Sequence, residues 1–210
     1  VVACDLSIAV NACYENLREL YHSAEFNVVQ ASIYELPFKL ESFDYVFCIG
    51  VIQHTPDPSK SIKCISSMVK KEGKIGLWIY ERNWKSYIGT LGFKYLLRPF
   101  TKRMGMRKND AFALALTVLF SPLILSMRHL GVIGKVVLRL MPVASSYLVS
   151  LPLNNRQLLE WVYLDTLDMY SPAHDHPMKF NEVKNILETL NFKIKRTPPP
   201  GISISAFKGG

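Results

Sequence analysis

Cysteine is scarce and unpatterned in this chain: Cys4, Cys13, Cys48 and Cys64 are the whole supply in 210 residues. Their irregular spacing within apolar, strand-like or helix-like surroundings suggests neither a zinc site nor a disulfide framework, and predicts a reducing, cytoplasmic compartment. No internal repeat or low-complexity tract occurs, and a composition 49% hydrophobic and 20% charged excludes a disordered chain. No secretory pattern stands at the N-terminus. Two strongly apolar stretches occur, Ala111 to Met127 and Gly131 to Leu153, but a membrane-spanning helix is not expected. The stretch from Ala111 to Met127 falls short of the roughly 20 residues a membrane span needs, and Pro122 interrupts it. Acids are few, 17 against 25 Lys and Arg, for a formal charge of +8. That balance favours an anionic partner: a membrane surface, a nucleic acid or an acidic substrate. There is no initiator Met, and Val1–Asp5 already reads as the end of a strand, so the chain is expected to begin inside a domain, truncated at its N-terminus.

Up to about Glu81, short apolar runs alternate with helical stretches. "VVACD" precedes a helix expected from Ser7 to His22, and "NVVQA" leads into the loop "YELPF". "FDYVFCIG" reads as a strand buried on both faces, ending in a glycine and the polar loop Gln53-His54-Thr55-Pro56. Asp57 as N-cap and Pro58 at the first helical position open the next helix, which Lys70, Lys71 and Gly73 are expected to close. "KIGLWIY" is another strand. This order predicts an α/β fold with a doubly wound, mostly parallel sheet. Near the C-terminus, a helix starting at Asn181-Glu182-Val183 precedes "FKIKR" and "GISISAF", which alternate at period two around Pro198-Pro199-Pro200-Gly201 as an antiparallel hairpin. The expected organisation is a partial α/β core over 1–81, a helical insertion over 82–160, and the rest of the core over 161–210.

In open α/β sheets ligands bind outside the carboxyl ends of the strands, which directs attention to Asp5 and Gly50. A carboxylate at Asp5 either caps the following helix or accepts hydrogen bonds from both hydroxyls of a ribose.

In order and spacing, "VVACDLS", "VVQASIYELPF", "FDYVFCIGVIQHTPDP" and "MVKKEGKIGLWIY" resemble the second to fifth strands of class I S-adenosylmethionine-dependent methyltransferases, in the small-molecule branch. The resemblance covers residues 1–81 and resumes at the C-terminal hairpin, matching the family's sixth and seventh strands. It implies a Rossmann-like fold, S-adenosylmethionine as cofactor, and methyl transfer to a hydrophobic small molecule. By position, it implies Asp5 on the ribose, Ser32 and Ile33 flanking the adenine, and Ile49, Gly50 and Gln53 at the methionine end. Two departures stand out. The family's glycine-rich first loop belongs before residue 1, and position 32 carries Ser32 where the family usually has an acid. His54 is the candidate general base, or else lines the pocket. In "DTLDMYSPAHDHP", the resemblance makes Tyr170 and His174 further catalytic candidates and Asp168 and His176 substrate-side candidates. His174-x-His176 with Asp175 has metal-like spacing but no third ligand, so no metal is expected, and no nucleic acid either.

The insertion has two readings. Arg128, Lys135 and Arg139 share one helical face, opposite Val132, Val136 and Leu140, if the helix survives Gly131 and Gly134. That pattern suits peripheral contact with an anionic membrane, while a helical cap over a greasy acceptor pocket is the alternative. Rivals to the enzyme as a whole are a nicotinamide-binding oxidoreductase and a membrane-associated binding module without cofactor. The loop "GVIQHTPDP" and the terminal hairpin argue against the oxidoreductase.

Overall fold

A computed structural model describes residues 1–21, 25–82, 90–196 and 201–210. His22, Lys85 and Pro198–Pro200, which figured in the expected helix, basic stretch and hairpin turn, lie outside the described residues. The chain divides into two compact units. The first joins Val1–Glu81 to His176–Gly210, and the second is Arg82–Asp175.

The first unit is α/β. β1 (Val2–Asp5) and β2 (Asn27–Gln30), linked by α1 (Ala9–Leu20), form a parallel pair. β3 (Phe43–Ile49), β4 (Val69–Ile79), β5 (Phe192–Arg196) and β6 (Ile202–Lys208) form a second sheet in the order β3-β4-β6-β5. β3 and β4 run parallel, with α2 (Pro58–Ser67) as crossover; β6 is antiparallel to both β4 and β5, and α7 (Phe180–Thr189) precedes the hairpin. Among the described residues the outer edges of β1 and β3 carry no partner strand.

One face of the four-stranded sheet makes the core. Ile75, Leu77, Ile79, Ile202, Ile204 and Ala206 pack with Ile62 and Ile65 of α2 and Val183 and Leu187 of α7. On the other face, among the described residues, β3 is left largely uncovered. Tyr45, Phe47 and Ile49 alternate onto that face and are between 54% and 64% exposed. The expectation that β3 is buried on both faces is therefore corrected: both helices that pack on this sheet bury the same side, the side reached by Val46 and Cys48. On the bare side Tyr45 lies across a glycine; a Cβ at Gly76 would come within 2.7 Å of Tyr45 Oη.

Asp57 caps α2 as its sequence suggests, its Oδ1 accepting from Lys60 N at 2.9 Å, with Pro58 at the helix start. The end differs. α2 stops at Ser67 and β4 begins at Val69, so Lys70 lies in the strand, where it pairs with Asp44 at 2.8 Å rather than closing the helix.

The second unit is helical: α3 (Thr90–Thr101), α4 (Met106–Met127), α5 (Gly131–Arg139) and α6 (Asn155–Tyr170). It runs past the expected boundary at residue 160 because α6 supplies Leu158 and Val162 to the same core as Ile124 and Leu138. α4 continues unbroken through Pro122, contrary to the expected interruption. The ring removes an N–H that would meet the Val118 carbonyl, and Ser121 Oγ donates to that carbonyl instead, at 2.8 Å. At 22 residues α4 is, by length and composition, the one described helix able to cross a membrane. Gly131, at φ +53°, turns the chain between α4 and α5, so Arg128 is not on the helix of Lys135 and Arg139. Its guanidinium instead holds the start of α6, donating to Asn155 Oδ1 at 2.6 Å and the Leu153 carbonyl at 2.7 Å.

Candidate active site

The carboxyl ends of β1, β2 and β3 are tied together by the loops that leave them. Ala31 N donates to the Asp5 carbonyl at 2.9 Å, which sets the ends of β1 and β2 side by side. From the β2 loop, Tyr34 reaches the loop after β3: its hydroxyl donates to the Asp57 carbonyl at 3.1 Å and accepts from Asp57 N at 2.8 Å. Ile33 and Leu36 pack onto the core beneath.

Asp5 is exposed. One carboxylate oxygen accepts from Ser7 N and Ser7 Oγ, both at 2.7 Å. This is a local turn before the helix rather than a helix cap, since α1 begins at Ala9 and takes no side-chain cap, and it leaves the second oxygen to other donors. Ser32 Oγ accepts from Tyr34 N at 3.2 Å, a turn that fixes the backbone after β2.

At the end of β3, Gly50 stands at φ +73°, which favours glycine. Its N–H donates to the Trp78 carbonyl at 2.9 Å, and a Cβ there would face the Trp78 ring at 3.5 Å. A single 3-10 turn, Ile52–His54, follows. Thr55 Oγ1 donates to the Ile52 carbonyl at 2.6 Å and accepts from Ser61 Oγ at 2.9 Å, so this loop is pinned to α2.

Gln53 is the unusual residue of this loop. Its side chain is fully buried, and neither Oε1 nor Nε2 has a hydrogen-bond partner among the described residues. An unsatisfied buried amide costs about 1–3 kcal/mol. Such an orphan beside a left-handed glycine, at the carboxyl end of a strand, has the chemistry of a ligand contact. The backbone of Gln53 is engaged: its carbonyl accepts from His176 N at 2.7 Å.

The sequence reading missed an aromatic row at this end. The rings of Trp78, Tyr80 and His54 stand edge to face in succession, with centroids 5.3 and 5.4 Å apart. The period-two placement of Trp78 and Tyr80 at the end of β4 was the available signal, since both must leave the strand on one side. Cys48, half a turn of the pleat before Ile49, faces the core, and burial pushes its thiol up to about 11.

The remaining candidates belong to the second unit. Asp168 is exposed on the last turns of α6. Tyr170 is completely buried; its hydroxyl donates to the Pro142 carbonyl at 3.0 Å, its ring meets Phe112 edge-on at 5.5 Å, and burial raises its phenol well above the usual range. That is a core residue, and the expectation of a catalytic tyrosine is corrected accordingly. His174 precedes Asp175, whose carboxylate is 1% exposed and pairs with Lys94 Nζ at 2.8 Å and Arg98 Nε at 3.9 Å. The acid between the two histidines is thus committed to a buried ion pair.

Residues 1–77 match the sequence family described as "Methyltransferase domain". A ubiquinone biosynthesis O-methyltransferase of Salmonella paratyphi A is 31% identical over 88 residues, 41% of this chain and 36% of that protein. The protein of the same name from Pseudomonas entomophila is 37% identical over 59 residues, 28% of this chain and 25% of its own. The chain thus spans about a third or less of the length of these curated relatives. Among solved structures, a SAM-dependent methyltransferase of Methanosarcina mazei superposes with a TM-score of 0.53 at 16% identity, covering 100% of this chain and 82% of that one. Magnesium protoporphyrin IX methyltransferase of Synechocystis PCC 6803, solved with bound SAH, gives 0.51 at 13% identity, covering 100% and 64%. At these identities the likeness is one of fold.

Proposed function

We propose that this chain, whose residues 1–77 match the methyltransferase-domain family and whose first unit has a Rossmann-like methyltransferase fold, belongs to an enzyme that moves a methyl group from S-adenosylmethionine to a hydrophobic small molecule. The observation that carries this reading is the orphaned amide of Gln53 beside Gly50. The residues present fit the cofactor's chemistry. In this reading the second carboxylate oxygen of Asp5 would accept from ribose hydroxyls, the β2 loop at Ser32 and Ile33 would border the adenine, and Ile49, Gly50 and Gln53 would meet the amino-acid end. Ser32 is a neutral acceptor and holds an adenine amino group less firmly than a carboxylate would.

When bound, the cofactor supplies a sulfonium-activated methyl group. The protein's part is then chiefly positioning, since holding a nucleophile in line replaces a bimolecular encounter. The aromatic row of Trp78, Tyr80 and His54 provides an apolar wall, and His54 is the group at hand to take a proton from an acceptor hydroxyl. His174 stays a catalytic candidate, and Asp168 and His176 stay substrate-side candidates. Peripheral contact with an anionic membrane belongs to the same reading, because a hydrophobic acceptor partitions into lipid.

Calorimetric titration of the protein with S-adenosylhomocysteine tests the reading. Binding that weakens in Asp5→Ala and in Gln53→Ala supports it. No binding at all, or binding indifferent to both substitutions, ends it.

A further inference from the structure

α5 divides into three sectors around its axis. At 3.6 residues per turn, Gly134 and Leu138 occupy one side, and both are buried. Opposite them, Val132, Ile133, Val136 and Leu140 fall within an arc of about 100°, and all four are between 55% and 76% exposed. Lys135 and Arg139, both exposed, occupy the sector along one border of that arc. The helix is held in this orientation by close contact with the end of α4, where a Cβ on Gly134 would sit 1.9 Å from the Met127 carbonyl. Its outward apolar face is therefore a fixed feature of the fold.

Charge narrows the choice of what covers that face. From residue 82 to residue 159 the only acid is Asp110, and it accepts a hydrogen bond from the Tyr163 hydroxyl. Lys102, Arg103, Arg107 and Lys108 are exposed around the start of α4, whose own outer side carries exposed Leu114, Val118 and Leu119. The unit's other acids, Glu160, Asp165, Asp168 and Asp175, lie on α6 and just after it, so a second copy meeting α5 through this same face would set Lys135 and Arg139 against their own counterparts. A nucleic acid would match the charge but gain nothing from a Val and Ile face, which offers no ring for a base to stack on. An anionic phospholipid surface satisfies both features: aliphatic side chains enter the acyl boundary while Lys135 and Arg139 extend to the phosphates.

We propose that the outer face of α5, Val132, Ile133, Val136 and Leu140 bordered by Lys135 and Arg139, docks on an anionic lipid bilayer. The proposal deepens the membrane contact put forward above and rests on it, while cofactor binding belongs to the other unit.

The experiment is sedimentation with vesicles of phosphatidylcholine alone and of phosphatidylcholine with phosphatidylglycerol, at low and at physiological salt. The expected result is roughly tenfold tighter binding to the phosphatidylglycerol vesicles, weakening with salt, and a loss of similar size in Val136→Asp and in Lys135→Glu/Arg139→Glu. Because these side chains are exposed, thermal unfolding of the variants should match the parent. Equal binding to both vesicle types, binding unchanged by Val136→Asp, or a lipid-indifferent dimer that Val136→Asp dissociates would overturn the proposal. So would salt-sensitive binding to single-stranded RNA with no binding to vesicles. S-adenosylhomocysteine titration of the same variants keeps the two readings apart: affinity should be unchanged in them and reduced in Asp5→Ala, which should still bind vesicles.

Discussion

His176 N donates to the carbonyl of Gln53 at 2.7 Å, so the chain returns to the first unit on the very loop that follows β3. Residues far apart in sequence thus share one backbone hydrogen bond, and the loop carrying the buried amide is held from both sides. α2 anchors it through Ser61 and Thr55, and the returning strand of chain anchors it through His176.

That arrangement predicts a conflict between stability and binding at Gln53. Gln53→Leu removes a buried amide that has no partner among the described residues, and should raise the free energy of unfolding by about 1–3 kcal/mol. The same change should weaken S-adenosylhomocysteine binding by roughly tenfold, about 1.4 kcal/mol. Denaturant melts and calorimetry on one sample check both. Destabilisation would show that the amide is satisfied in the folded protein.

Gly50→Ala separates conformation from crowding. The Trp78 ring lies at ordinary contact distance, 3.5 Å, from the new Cβ, so the cost should come from the φ of +73° alone, about 1–2 kcal/mol. A much larger loss in a urea melt would mean that the glycine is needed for close packing instead.

In the second unit, Asp175→Ala should cost about 3–5 kcal/mol, because it leaves Lys94 and Arg98 buried without their counter-charge. Replacing Asp175 and Lys94 together by Leu and Met should recover part of that loss. A double variant as unstable as the single one would show that the ion pair is not the source of the effect.

Asp165 offers a pH test. Burial raises its carboxyl most, repulsion from Asp168 adds to the rise, and a hydrogen bond from the Tyr147 hydroxyl opposes it. A carboxyl raised in the folded state contributes full stability below the unfolded value, about 3.9, and loses it as pH rises through the folded value. Asp165→Asn should therefore stabilise the protein at neutral pH and make no difference in acid below that range. Melting temperatures across pH 3 to 8 would reveal it; a gain independent of pH would point to some other cause.

The succession of strands and helices in the first unit, the Asp57-Pro58 helix start and the antiparallel tail could be read directly from the chain. Each depends on short-range pattern: period-two apolar residues, a capping acid three residues before the N–H it accepts from, a proline whose missing donor is harmless at a helix start. Asp5 and Gly50 were legible for a related reason, since strand ends in such sheets are where ligands collect. Other features depended on which side chain met which. The apolar run of β3 could not say that only one face would be covered, because that is settled by where α2 and α7 pack. Pro122 looked like a break until Ser121 took over the carbonyl it strands. Arg128 looked like a surface cation, and Asp175 like part of a histidine loop, until each found partners 27 and about 80 residues away in the chain. The isolation of the Gln53 amide belongs to the same class. Local pattern determines what a segment prefers to be, whereas burial and pairing are properties of the neighbours it acquires, and only tertiary structure supplies those.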